Sequence, residues 1–130
     1  MKALSVRQPW ASLIACGRKT IECRTWKTSY RGELLICSGK NIDSGSWARE
    51  FLAKDLDFPR GFALCVVELL EIRPMTRKDC DFACVTASTS KEDLEEILKG
   101  YAWMLRLCRR ISPFPVKGRL NLFSVPEDML

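Results

Sequence analysis

The apolar positions change period along the chain, and each change predicts an element. "KALSV" alternates weakly and predicts a first strand. Pro9 suits the first turn of a helix, where its missing N–H has no partner to lose. Trp10, Leu13 and Ile14 follow at i, i+3 and i+4, and Gly17 offers a left-handed cap, so "PWASLIAC" predicts a two-turn helix. In "KTIECRTW" the period drops to two. Ile21 and Cys23 then face a core, while Thr20, Glu22, Arg24 and Trp26 share the opposite face. "SYRGELLICS" predicts a turn at Arg31–Gly32 and a buried strand. "SGSWAREFLAKDL" predicts a helix striped by Trp47, Phe51 and Leu52, and Pro59-Arg60-Gly61 a turn. "FALCVVELLEI" is the strongest strand, an apolar run broken by Glu68. "STSKEDLEEILKG" predicts a helix with Ser90 as N-cap, a Leu94/Ile97/Leu98 stripe and a stop at Gly100. "YAWMLRLCRRI" puts Tyr101, Trp103, Leu105 and Leu107 on one face, "SPFPVKG" is a stiff loop, and "RLNLFSV" is a last strand. The order predicts an α+β fold, with five or six strands closing into a small β-barrel flanked by helices.

Composition narrows the chemistry. A chain of 130 residues is expected to form one domain over 1–130 without a metal or disulfide. No apolar run approaches the roughly 18 residues of a membrane span, so no membrane partner is expected. Arg7 and Gln8 interrupt any signal-peptide core, which favours a cytoplasmic location. There is no histidine, which excludes a Ser-His-Asp triad, a Cys–His pair and a histidine metal site. The seven cysteines read as reduced thiols, with Cys16, Cys37, Cys65 and Cys108 in apolar, core-like surroundings. Cys80 and Cys84 lack zinc-knuckle spacing, so no metal is expected there.

Charge is uneven. Residues 1–40 carry eight basic and two acidic side chains, and residues 99–119 carry six basic and none acidic. Residues 41–98 carry seven basic and twelve acidic. If the two basic segments meet in space they form one positive face, suited to a polyanion.

The densest candidate site is "CGRKTIECRTW". Glu22 and Arg24 can pair side by side on the strand, with Lys19 just before them. A carboxylate between cations stays ionised, and a spare cation can hold a phosphate or a developing oxyanion. A plain surface salt-bridge cluster has the same sequence signature. Trp26 shares the Glu22/Arg24 face and is the best base-stacking candidate. Trp10 suits a cleft wall or the core, while Trp47 and Trp103 suit the core. Gln8 could read a base edge or bond its own backbone. Ser5 and Arg7 share a face of the first strand. Lys40, Lys117 and Arg119 are candidate phosphate neighbours on electrostatic grounds, whereas Lys2, Lys54 and Lys78 read as ordinary solvated lysines.

"GRKTIECR" fits the G-x-K-x-x-E-x-R signature of the ASCH domain family through Gly17, Lys19, Glu22 and Arg24. "LSVRQPWASLI" upstream resembles the family's Q-P-W-A opening, and Trp26, Thr28, Arg31 and Gly32 continue the likeness. The closing "PFPVKGRLNLFSV" resembles bacterial and phage members. The resemblance implies a PUA-like barrel, with the motif lining a cleft that takes RNA or nucleotides. It also implies two hydrolytic alternatives. One is a ribonuclease acting on single-stranded RNA, with a divalent metal as the only cofactor in prospect. The other is an amidohydrolase of N4-acetylcytidine, whose lysine falls on Lys19 and whose threonine position is held here by Glu22, a departure from that pattern. Lys19, Glu22 and Arg24 would carry catalysis. Ser5, Arg7, Gln8, Trp10, Gly17, Trp26, Lys40 and Lys117 would carry binding of single-stranded RNA or a modified nucleoside. Binding, hydrolysis and a protein-interaction role all stay open on the sequence.

Overall fold

A computed structural model describes residues 1–45, 47–52 and 56–130. Six strands form one mixed sheet: β1 (Lys2–Gln8), β2 (Ile21–Arg24), β3 (Gly32–Ile42), β4 (Phe62–Pro74), β5 (Tyr101–Pro115) and β6 (Leu122–Ser124). Their spatial order is β2-β5-β4-β3-β1-β6. β1 runs parallel to β3, and the other neighbours are antiparallel. Among the described residues three α-helices accompany the sheet, α1 (Trp10–Ala15), α2 (Arg49–Leu52) and α3 (Lys91–Lys99). Among the described residues no helix is long and apolar enough to cross a membrane.

The α+β class and the six strands agree with the sequence reading, but the barrel does not close. The order ends at β2 on one side and β6 on the other, with no ladder joining them. Side chains bridge the seam instead: Arg24 Nη2 on β2 donates to Ser5 O on β1 at 2.6 Å.

The larger core lies inside the curl and is built from Leu4, Leu13, Ile14, Ile21, Val67 and Trp103 among others. The period-two expectation for β5 holds, since Trp103 and Leu105 are buried. α1 ends as expected: Gly17 has φ +84°, and the N–H groups of Gly17 and Arg18 donate to Ile14 O and Leu13 O. α3 begins at Ser90, whose Oγ accepts from Asp93 N at 3.1 Å. The helix expected over residues 44–56 is described only as Arg49–Leu52; Ser46 and residues 53–55, Lys54 included, lie outside the described residues. The stiff loop expected at "SPFPVKG" starts later, because Ser112–Pro115 extend β5. Beyond Met104, β5 pairs only with β4, and an edge tolerates proline. Of the four cysteines expected in the core, Cys37 and Cys65 are buried, Cys16 is half-buried and Cys108 is exposed.

Candidate functional site

The open seam leaves a cleft of about 840 Å³. β1 contributes Ser5 and Arg7, α1 contributes Trp10, and β2 contributes Glu22, Cys23 and Arg24. Lys40 comes from β3, and Lys117 and Arg119 from the loop before β6. The two basic segments do meet here, as the charge pattern anticipates.

The floor is a buried charge trio. Lys19 is 2% exposed and Glu22 6%. Lys19 Nζ lies 3.6 Å from Glu22 Oε1, and Arg24 Nε lies 3.0 Å from Glu22 Oε2. The Arg24 contact meets the distance but not the direction of a hydrogen bond, so charge holds it. Lys19 is engaged further: Nζ donates to Ala83 O at 2.6 Å and sits 5.1 Å from the Trp10 ring centroid. The ammonium therefore spends one of its three protons on a hydrogen bond, to Ala83 O, and meets Glu22 and Trp10 through charge.

Ala83 O is held in place by its own turn. Asp79 forms a capping box with Thr76 and a two-pronged pair with Arg73, at 2.6 and 2.8 Å. Ala83 N donates back to Asp79 O at 3.0 Å. The Arg73 hydrogen bond, with a smaller share from Thr76, holds the Asp79 carboxyl down to about 2 against the opposing effect of burial.

The rim differs. Arg7, Lys40, Lys117 and Arg119 are exposed, and none has an ion-pair partner among the described residues. The cleft's second carboxylate, Asp43, accepts from Trp10 Nε1 and Gly45 N, both at 2.9 Å. Both cleft carboxylates are therefore occupied. Among the described residues no three His, Cys, Asp or Glu side chains converge.

Of the aromatic residues, Trp26 is half-buried, meets Trp103 in a T-shaped pair at 4.8 Å and lines the cleft. Trp10 is a wall: Trp47 stacks on it at 4.2 Å, and Lys19 sits over its ring. Two sequence candidates lie outside the cleft. Gln8 is fully buried, its amide donating to Ser12 Oγ and Pro59 O and accepting from Ser12 N. Gly17 borders a separate, apolar groove with Ile14, Val67 and Leu107. Asp43, Trp47, Gly118 and Leu120 line the cleft without having been singled out for it. Only Asp43 carried a hint, as the acid of a turn-like "NIDSG".

Residues 4–113 match the ASCH domain family. The chain belongs to this family. It is 28% identical over 142 residues to activating signal cointegrator 1 from Homo sapiens, covering 97% of this chain and 22% of that protein. The Mus musculus protein is 27% identical over the same length. The chain thus spans about a fifth of the length of these curated relatives, matching 22% of each. The ASCH protein from Zymomonas mobilis superposes with a TM-score of 0.63 at 14% identity, over 98% of this chain and 88% of that one. At that identity the likeness concerns the fold. In this chain Glu22 and Arg24 lie on β2, at the edge of the open sheet, and Gly17 and Lys19 in the turn just before it.

Proposed function

We propose that this ASCH domain is a binding module for single-stranded RNA or a nucleotide, held in the cleft between β2 and β1. One observation carries the reading. Four cations without an ion-pair partner among the described residues, from two strands and a loop, ring a cleft whose two carboxylates already have partners, beside a half-exposed tryptophan. Phosphate would meet Arg7, Lys40, Lys117 and Arg119, and a base would stack on Trp26, a contact of about 1–3 kcal/mol. Glu22 retains lone pairs for a base amino group or a ribose hydroxyl. Lys19 positions Glu22 rather than touching phosphate. The family as a whole is associated with RNA, which agrees with this chemistry.

Hydrolysis of RNA or of an acetylated cytidine would need a group that takes up a proton and aims a water. The engagement of Lys19 by Ala83 O, Glu22 and Trp10 favours binding over that role. The test combines both readouts. Arg7→Glu with Lys117→Glu should weaken a labelled single-stranded RNA by at least about 100-fold at low salt. Unchanged affinity would remove the cleft from consideration. Product formed by the wild type and lost in Lys19→Ala would make the domain an enzyme.

A further inference from the structure

We propose that Val116–Asn121 is a fixed ledge that grips a single-stranded RNA beyond the nucleotide held in the cleft. Leu120 lies against a base, and Lys117 and Arg119 meet the phosphates on either side. This rests on the cleft reading above and narrows it: the ligand is a strand rather than a free nucleotide.

The segment is anchored at three points. Val116 N donates to Gly61 O at 2.9 Å. A Cβ built on Gly118 would lie 2.6 Å from Ser5 Oγ, so the backbone there is seated on β1 with no room for a side chain. Leu122 is then in register with Leu4 in the β6–β1 ladder. Between these anchors Asn121 adopts φ +58°, a left-handed turn that asparagine tolerates.

Leu120 is 91% exposed within this held segment. An exposed leucine alone means little. Its setting is what matters: it lines the cleft, and its neighbours Lys117 and Arg119 are exposed cations with no ion-pair partner among the described residues. An apolar side chain between two cations complements a chain that alternates flat apolar bases with phosphates. Inorganic phosphate would use only the cations, and a single nucleotide would be met by Trp26, Glu22 and the rim cations Arg7 and Lys40. The strand is the ligand that uses the leucine and both cations together.

The test uses the full chain, with anisotropy of a labelled uridine octamer and competition by uridine 5′-monophosphate. Leu120→Ser alters a side chain already in water, and an unchanged urea midpoint would show that the fold is intact. The octamer should bind Leu120→Ser about tenfold more weakly, while monophosphate binding stays as in the wild type. Gly118→Ala, which forces the ledge off Ser5, should act in the same direction. If octamer affinity is unchanged in both variants, or monophosphate affinity falls by the same factor, the ledge is overturned and the cleft reading stands. If the wild type holds neither probe, the cleft reading falls and the ledge with it.

Discussion

At the floor of the cleft, the Glu22 carboxylate is held between the buried Lys19 and the part-exposed Arg24. At its rim, Arg7, Lys40, Lys117 and Arg119 stand in water with no ion-pair partner among the described residues. Side chains of the same kinds therefore do different work a short distance apart. The floor charges are expensive to isolate and are tied to the fold. The rim charges are nearly free of the fold and available to a ligand. In a positive cleft, the buried cations of the motif need not be the ones that grip.

Removing the floor carboxylate should break that contrast most severely. Glu22→Ala leaves the Lys19 ammonium, with a side chain 1% exposed, without its counter-ion, and should cost about 3–5 kcal/mol in urea unfolding. Replacing Lys19 and Glu22 together by Met and Leu should cost less, because the deeply buried ammonium goes with its counter-ion and only the part-exposed Arg24 loses a partner. A loss below about 1 kcal/mol for Glu22→Ala would mean the floor behaves like a surface pair.

The rim should show the reverse. Arg7→Gln with Lys117→Gln should leave stability within about 0.5 kcal/mol. The same variant should flatten the dependence of log affinity on log salt for single-stranded RNA by about 1.4. A change in stability with no change in slope would exchange the two roles.

A smaller effect sharpens the comparison through pH. Asp79 supports the turn that presents Ala83 O to Lys19, and its carboxyl is held at about 2 by Arg73. Because the folded value lies below the ordinary one, the stabilisation is complete above about pH 5 and is lost as pH falls through about 2. Asp79→Asn should flatten that acid limb in denaturant titrations, leaving the salt dependence of binding near neutral pH unaltered. Smallest of all is a difference in thiol labelling. Burial pushes the Cys23 thiol to about 11, so alkylation at pH 8 should be slow although Cys23 lines the cleft. The exposed Cys108 should label first.

Local signals in the sequence foretold local structure well. Trp10, Leu13 and Ile14 with Gly17 marked α1, Ser90 marked the start of α3, and the motif spacing joined Lys19, Glu22 and Arg24. Long-range facts were out of reach. Whether six strands close depends on pairings between distant segments, and the gap between β2 and β6 has no local signature. Gly100 ends α3 as expected but for a distant reason: φ is −92°, and a Cβ there would lie 2.6 Å from Arg24 O. Gln8 could have pointed either way, and burial beside Ser12 and Pro59 settled it. "TRKD" at Thr76–Asp79 carried a capping-box spacing that could have revealed the support behind Lys19.

The position of β2 also sets an order of assembly. Its partner along the sheet is β5, with Arg24 opposite Tyr101 and Ile21 opposite Met104. The motif precedes its partners along the chain, so its residues leave water only once Ala83 and then Tyr101–Met104 have docked. β6, which seats the far end of the ledge against β1, follows these in the chain. Closing such wide loops is slow. The domain thus keeps its recognition charges solvated while it folds and gathers them into a cleft only when its last strands pair.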